Sequence, residues 1–452
     1  MTVPESTRLA RRLVGQSQPG EQIEVCAGSA VRTEVRVHGG RIESLTVAES
    51  RGVGVRLIVD GREGFAHAGT FDADVVDELV AEARDNAAFA EPDDRVGLAE
   101  PDGVDAVDLD PWDDRIGSTS VDDKLALAQE LERATIDADP RVRNVRTALY
   151  ADTRAESAIV SSLGIDGWDR GGSCSVSTSA LIDDPDGSTR TGGAVDVAWA
   201  PQDLDVEKVA RLAAERGVQL IGAGPPTTGR PVVVLEPRFA ATMLGIVAGM
   251  LSGERVVKGR TPFADRVGEQ IAAAGLTFAD DPIDPESLSA SSFDGEGIAC
   301  RRVPLITGGV LNGFLHDSRS ARGLGTVTTG SALRGVRGTP SPGYRSLSVA
   351  PGEGDLEGFI ASIDDGLLVA SLQGLHSGVN AVSGDLSVGV EGVVIRDGQL
   401  QEPIREGTLA GAIPRMLLDI VAVGADLERL PGGSLMPTLL LEGLTLGGGS
   451  SA

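Results

Sequence analysis

Residues 53–68 read VGVRLIVDGREGFAHA, and this stretch decides the fold of the N-terminal part of the chain. On both sides of Asp60-Gly61, apolar residues alternate with polar or small ones, which is the period of a strand with one buried face. An Asp-Gly pair between two such runs predicts a tight hairpin, because both residues tolerate the positive φ of a type I′ turn. We therefore predict an antiparallel sheet here.

The same alternation of apolar and polar residues extends in both directions from this hairpin. Val31 to Val37 alternate with charged neighbours before a Gly39-Gly40 turn, and Asp397-Gly398 is a second hairpin candidate near the other end. Ser120-x-x-Asp123 predicts a capped helix start. Further helices are predicted over residues 7–13, 73–88, 206–221, 239–251 and 408–421, the last interrupted near Pro414. Because strands and helices do not alternate regularly, a doubly wound sheet is disfavoured and the class is predicted to be α+β.

Composition shifts divide the chain into segments. Residues 91–123 hold twelve acidic residues and two arginines, with three prolines, which is typical of an exposed linker. We predict an N-terminal α/β sheet domain over 1–90, an acidic linker over 91–118 and a middle α+β domain over 119–222. A mostly antiparallel, β-rich C-terminal domain is predicted over 231–452.

Charge and cysteine content exclude several classes of protein. Forty basic and sixty-seven acidic residues leave a net charge of −27, which disfavours binding to nucleic acid and to anionic membrane surfaces. Three scattered cysteines predict free thiols rather than a disulfide framework. The first twenty residues carry charges and no apolar core, so no signal peptide is predicted and a cytoplasmic location is expected.

Motifs of common catalytic sites are missing from the sequence. The four histidines are too far apart for an HExxH zinc site, and neither a G-x-S-x-G elbow nor a phosphate-binding G-x-x-x-x-G-K-[ST] loop is present. The more informative segments lie in the last third. Candidate residues for a peptide groove or a structural motif are His316, Asp317, Ser318, Thr329, Gly330, Asn380, Ser383, Gly384, Asp385, Ser387 and Gly389. The run from 380 to 389 suits either a turn-rich crossing of the core or the wall of a groove for an extended peptide.

These segments resemble the TldD/PmbA family, also named modulator of DNA gyrase, and the PmbA (TldE) branch in particular. The resemblance rests on ordered motifs spread over almost the whole chain: Gly52-Val-Gly-Val-Arg56, Ser292-Phe-Asp-Gly-Glu-Gly297, His316-Asp-Ser318 with Thr328-Thr-Gly330, Asn380-x-x-Ser-Gly-Asp-x-Ser-x-Gly389, and Thr408-Leu-Ala-Gly411. It implies a two-subunit peptidase. In that family the TldD partner binds a metal through a helical His-Glu-x-x-x-His and a cysteine near its C-terminus.

Both halves of that metal site are replaced in this chain. Where the helical motif would fall, the helix predicted over 239–251 carries neither histidine nor carboxylate, and residues 424–437 contain no cysteine. A catalytic zinc needs about three protein ligands. We therefore expect no cofactor bound by this chain and zinc in the partner subunit.

The resemblance implies a non-catalytic subunit, inactive alone, that helps a TldD-like metallopeptidase enclose and hold unfolded or precursor peptides. The alternative is a homodimeric peptide-binding scaffold without peptidase activity. Two further hypotheses are a direct DNA or gyrase modulator, which the charge disfavours, and an enzyme with a new site around His316, or around His376 with Asp385.

Overall fold

The computed structural model describes residues 3–448 and begins with one six-stranded antiparallel sheet, in the order β3-β2-β1-β4-β5-β6. Its strands are β1 (Gln22–His38), β2 (Arg41–Val59), β3 (Arg62–Ala68), β4 (Val142–Ser161), β5 (Asp166–Asp183) and β6 (Thr189–Ala198). The strands on both sides of the predicted acidic linker thus share one sheet. The division into domains at the predicted bounds stays a prediction.

The predicted hairpin turns are present. Asp60 and Gly61 have φ of 50° and 71° between β2 and β3, and Asp397 and Gly398 have φ of 48° and 74° in the C-terminal half. Both residues of each pair therefore adopt the left-handed conformation that a type I′ turn requires.

Helices cover one face of this sheet. The helices of this half are α1 (Glu5–Val14), α2 (Ala73–Val76), α3 (Leu79–Phe89), α4 (Asp114–Ser118), α5 (Val121–Asp137) and α6 (Val206–Val218). Val25, Ala27, Val53, Val55 and Leu57 pack with α1 and α3, because alternate residues of β1 and β2 face the same side. The intervening residues face the C-terminal half of the chain.

The C-terminal half has two larger sheets, of seven strands (β17-β20-β7-β14-β15-β16-β21) and six strands (β10-β9-β8-β13-β19-β18). Its strands are β7 (Val232–Leu235), β8 (Phe278–Asp280), β9 (Val303–Thr307), β10 (Val310–Leu311), β11 (Ala332–Leu333), β12 (Ser341–Pro342), β13 (Leu347–Val349), β14 (Asp365–Gln373), β15 (Asp385–Arg396), β16 (Gln399–Ala412), β17 (Ile420–Val423), β18 (Glu428–Arg429), β19 (Leu435–Met436), β20 (Leu439–Leu441) and β21 (Thr445–Gly447). Its helices are α7 (Pro237–Met250), α8 (Gly253–Val257), α9 (Ser318–Leu324), α10 (Leu356–Ala361), α11 (Leu375–Gly378) and α12 (Ile413–Leu418). Only the β7–β14 and β13–β19 pairs are parallel in this part of the described chain. The predicted α+β class, with a mostly antiparallel C-terminal part, is confirmed.

Three expectations about local structure were wrong. Within the helix predicted over 408–421, residues 408–412 belong to strand β16, in which Thr408 pairs with Gly389, and only α12 is helical. Pro414 lies in the first turn of α12 and starts that helix instead of interrupting it, because its missing N–H has no partner to lose there. The helix predicted over 73–88 is broken into α2 and α3 at Asp77-Glu78.

Part of the acidic segment 91–118 is buried, contrary to the expectation that the segment is exposed. Leu98 and Ala99 are buried, and the Arg322 guanidinium of α9 donates to the Gly97 carbonyl oxygen over 2.9 Å. Asp102 forms an ion pair with Arg301. The segment therefore packs in part against the C-terminal half, where Ala99 joins a small apolar cluster with Ile298.

Within residues 3–448, no helix combines the length and the apolar character that crossing a membrane requires.

Candidate functional site

The face of the first sheet that is not covered by helices carries buried charge. Glu24 of β1 lies directly opposite Arg56 of β2 in the strand register, and both side chains are almost completely buried. Cys26 lies on the same face, two residues along β1 from Glu24. Burial raises the pKa of the Cys26 thiol, so it is a neutral, inert sulfhydryl.

The C-terminal half completes this charged layer. Arg334 forms an ion pair with Glu24, and Arg56 Nη1 lies 3.7 Å from both Glu24 Oε1 and Glu296 Oε1. Arg56 Nε also donates to Glu63 Oε1 over 2.8 Å. We call Glu24, Arg56, Glu63, Glu296 and Arg334 the buried ionic cluster.

Protonation of Glu296 balances the charge of this cluster. Burial, reinforced by the negative charges of Asp294 and Glu24, raises the pKa of Glu296 to about 8. Its carboxyl group is therefore mostly neutral at pH 7. Two carboxylates then face two guanidinium groups, which is the arrangement that a buried set of charges requires.

Asp294 holds the loop that presents Glu296. Its Oδ1 accepts hydrogen bonds from the backbone N–H groups of Glu296 (2.8 Å) and Ile298 (3.0 Å), and Oδ2 accepts from Ala332 (3.0 Å). Burial raises the pKa of Asp294 to about 6, although these three donors act in the opposite direction. The Ser292–Gly297 motif is thus a rigid turn that positions a buried acid.

The predicted residues His316, Asp317 and Ser318 lie next to this turn. Asp317 caps α9, accepting from the backbone N–H of Ser320 over 2.8 Å. Ser318 donates its backbone N–H and its hydroxyl to the two oxygens of Glu296, over 2.8 and 2.5 Å. The first turn of α9 therefore anchors Glu296.

His316 is buried beside α8. Burial lowers the pKa of its imidazole, and Nδ1 lies 3.2 Å from Ser320 Oγ, so the ring is neutral near pH 7. Thr329 Oγ1 accepts from the backbone N–H of His316 over 2.8 Å, and Gly330 follows with φ of 69°. The structure thus brings five predicted site residues into one buried hydrogen-bonded network, a geometry that favours a structural role for them.

The remaining predicted residues form a separate, more exposed feature. Asn380 Oδ1 accepts from the backbone N–H groups of Val382 (3.0 Å) and Ser383 (3.3 Å), and Ser383 Oγ donates to Asp385 Oδ2 over 2.6 Å. Gly384 turns the chain at φ of 83°, and Ser387 and Gly389 follow on β15. No hydrogen bond or ion pair between described residues joins this turn to His316 or the residues around it.

Among the described residues, neither His316 nor His376 is hydrogen-bonded to Asp385 as the hypothesis of an enzyme with a new site would require. In the part of the chain that the structure describes, Asp385 forms no hydrogen bond with His316 or with His376, and its side-chain partner is Ser383. A general base needs such a contact to be oriented and activated.

The two segments that correspond to the partner's metal ligands in the family resemblance do pack together here. Met243, Leu244 and Val247 of α7 belong to the same apolar core as Leu430 and Met436 of the 424–437 segment. Across residues 3–448, no three side chains from His, Cys, Asp and Glu are grouped so that they could hold a metal ion. Thioether and aliphatic side chains do not fit a zinc site, which takes nitrogen, thiolate or carboxylate ligands. That this chain binds no cofactor stays a prediction.

Sequence reasoning missed the buried ionic cluster. One signal was present: Glu24 and Arg56 each interrupt an otherwise apolar run, in Ile23-Glu-Val25 and Val55-Arg-Leu57. In a strand that is covered on one face only, such a charge points to solvent, so recognising it as buried requires knowing that the C-terminal half covers the second face.

Comparison with known proteins agrees with this architecture. Family models described as PmbA/TldA metallopeptidase domain 1, central domain and C-terminal domain match residues 23–87, 114–221 and 228–448. "Metalloprotease PmbA" of Escherichia coli O157:H7 is 27% identical over 450 residues, covering 97% of this chain and 96% of that protein. "Metalloprotease TldD homolog" of Haemophilus influenzae is 24% identical over 422 residues, covering 88% and 87%.

A solved structure is similar over the same length. TldE from Thermococcus kodakarensis superposes with a TM-score of 0.87 at 25% identity, covering 98% of this chain and 99% of that one. Since the three family models together span most of the sequence in order, this chain belongs to the PmbA/TldD metallopeptidase family.

Proposed function

We propose that this chain is the non-catalytic subunit of a heteromeric metallopeptidase, in which a TldD-like partner carries the zinc. The observation that carries the proposal is the apolar contact between α7 and the 424–437 segment. Met243, Val247 and Met436 belong to the two segments in which the family resemblance expects ligands. A chain that offers thioether and aliphatic groups at these positions cannot activate water by that route.

The free edge of β2 supports a role in holding extended peptides. β3 pairs with β2 only from Val53 to Val59, so residues 41–52 have no partner strand on that side among the described residues. Ile42, Leu45 and Val47 are about half exposed along this edge. Extended peptides bind such edges through backbone hydrogen bonds, which tolerate many sequences. We propose that residues 41–52 receive the peptide.

The test uses the full chain expressed with and without a TldD-like partner that contains His-Glu-x-x-x-His. We expect the two chains to purify together, and zinc-dependent cleavage of an unstructured peptide to require the partner's zinc ligands. Metal-dependent cleavage by this chain alone would overturn the proposal. Peptide binding without any association with the partner would instead support the scaffold alternative.

A further inference from the structure

A groove lies where the end of α7 meets α8 and the strand β12. Its volume is about 660 Å³, and among the described residues that line it three side chains are basic (Arg255, Lys258 and Arg260) and one, Glu254, is acidic. The chain as a whole has a net charge of −27. A local excess of positive charge in so acidic a protein attracts anionic groups and repels cationic ones.

The turn that ends α8 brings two of these arginines together. Gly259 has φ of 61°, the left-handed conformation that commonly terminates a helix. Its N–H donates to the Val256 carbonyl oxygen over 3.0 Å, and the Arg260 N–H donates to the Arg255 carbonyl oxygen over 2.8 Å. The backbone of Arg260 therefore lies beside that of Arg255, and both side chains line the same groove.

Arg255 and Arg260 have no acidic partner within the part of the chain that the structure describes. Lys258 differs from them, because its ammonium group pairs with Glu254 on the exposed surface of α8. Two guanidinium groups therefore remain for carboxylates, which arginine binds through two parallel N–H donors. The Tyr344 hydroxyl also lines the groove without a hydrogen bond to another described residue, and it adds a neutral donor.

Gly249 leaves room for a ligand on the α7 side of the groove. Gly245 and Gly249 lie four residues apart and thus on one face of α7. Packing explains Gly245, because a Cβ atom there would lie 3.0 Å from the Tyr344 hydroxyl oxygen. A Cβ atom at Gly249 would meet no atom within 4 Å, although glycine destabilises a helix relative to alanine. Packing within the described chain thus does not account for Gly249, whereas the close approach of a ligand backbone does.

We propose that this groove binds an acidic segment of an extended peptide. The peptide backbone passes over Gly249, and its carboxylate side chains bind Arg255 and Arg260. A short acidic segment experiences mainly the local positive charge, because charges beyond about 8 Å are screened at physiological salt. A nucleic acid would extend from the groove onto the acidic surface around it, which repels a long polyanion. This inference depends neither on the partner subunit nor on the free edge of β2.

The test is fluorescence anisotropy of the full chain with short, capped peptides that carry the same neutral dye. One peptide alternates glutamate and alanine, and the other has glutamine in place of each glutamate. We expect the acidic peptide to bind at least about tenfold more tightly. Its affinity should fall as salt rises from about 0.05 to about 0.5 M, because exposed charges are then screened.

Two outcomes of this titration would overturn the proposal. Equal binding of the acidic and the glutamine peptide would show that carboxylates are not recognised. Displacement of the acidic peptide by single-stranded DNA of equal charge, at a lower concentration than the unlabelled peptide needs, would identify the groove as a nucleic-acid site instead.

Arg255→Gln/Arg260→Gln removes the two guanidinium groups, so the affinity for the acidic peptide should fall at least about tenfold. The matched control is Arg133→Gln/Arg230→Gln, which changes the net charge equally at exposed positions outside the groove. This control should bind the peptide as the wild type does. A loss of equal size in both variants would mean that net charge governs binding, and the groove would not be the site.

Gly249→Leu tests the groove without changing any charge. Its side chain projects into open space, so the fold should be retained, which urea denaturation checks. The leucine side chain occupies the path of the peptide backbone, and the affinity for the acidic peptide should fall at least about tenfold. Because it leaves both arginines in place, this variant also tests the site if the arginine variant fails to fold. Wild-type affinity in folded Gly249→Leu would overturn the proposal.

Discussion

Glu24 and Arg334, separated by 310 positions, form an ion pair in which both side chains are 0% exposed. Glu24 belongs to the first strand of the N-terminal sheet, and Arg334 follows a short strand of the C-terminal half. The pair therefore joins the two halves of the chain at the point where the charged face of the sheet is covered. Removing this ion pair should therefore lower the free energy of unfolding of the whole chain.

We expect Glu24→Gln to lower the free energy of unfolding by about 3–5 kcal/mol, because it leaves Arg334 buried without its counter-charge. Chemical denaturation of the full chain measures this value. The control is Glu215→Gln, which removes the partner of Arg211 in an exposed pair on α6. That change should cost less than about 1 kcal/mol. The double variant Glu24→Gln/Arg334→Met should recover part of the loss, and an unchanged Glu24→Gln protein would contradict the assigned role of the pair.

The free edge of β2 yields a prediction about peptide retention. Leu45→Lys/Val47→Lys adds two charges at exposed positions, so the free energy of unfolding should stay within about 0.5 kcal/mol of wild type. Affinity of the two-subunit complex for a fluorescent unstructured peptide, measured by anisotropy, should fall at least about tenfold.

The matched control for the edge is Val121→Lys/Ile136→Lys, which adds the same charges at exposed positions of α5. This variant should bind the peptide as the wild type does. If the edge variant fails to assemble with the partner, the edge is a subunit contact and the peptide binds elsewhere.

The sequence was sufficient where a local signal determines structure. Asp60-Gly61 and Asp397-Gly398 specify their hairpins because the backbone conformation depends on the two turn residues alone. Ser120 caps α5 as predicted, accepting from the Asp123 backbone N–H over 3.1 Å. The strand at Thr408 was mistaken for a helix because its pairing with Gly389 on β15 is a long-range contact that residue preferences do not report.

The charged layer could not be predicted for a related reason. Whether Glu24 points to solvent or to a buried partner depends on Arg334, and the two are remote in sequence. The motif around Glu296 was recognised by resemblance, but its contact with Ser318 appears only when the loop and α9 are placed together.

The position of His316 depends on the absence of a side chain at Gly253. A Cβ atom added at Gly253 would lie 2.2 Å from His316 Nδ1 and 2.9 Å from Ser320 Oγ. We therefore expect Gly253→Ala to lower the free energy of unfolding by about 1–3 kcal/mol, the usual cost of overpacking a buried site.

Gly249→Ala is the matched control, since a Cβ there meets no atom within 4 Å. Because alanine favours the helix, Gly249→Ala should be neutral or stabilising by up to about 1 kcal/mol. Equal effects of the two substitutions, measured by urea denaturation, would show that His316 is not packed against Gly253.

Glu296 predicts a pH dependence of stability with a definite sign. Burial raises its pKa in the folded protein to about 8, from 4.5 for the unperturbed group. Between these values the folded state binds more protons than the unfolded state, so stability falls as pH rises. The contribution is complete below pH 4.5 and is lost as pH increases through about 8.

Glu296→Gln removes this titration and keeps a neutral group that can still accept from the Ser318 backbone N–H. The free energy of unfolding of the wild type, minus that of Glu296→Gln, should therefore decrease from about pH 5 to about pH 8, with a slope of up to about 1.4 kcal/mol per pH unit. Urea denaturation at several pH values within this range gives the difference directly, and effects of all other groups cancel between the two proteins. Glu402→Gln, at an exposed ion pair with Arg396, serves as the control and should show no such slope. A difference that stays constant with pH, or that grows as pH rises, would mean that Glu296 is ionised in the folded protein and that the buried ionic cluster carries a net negative charge.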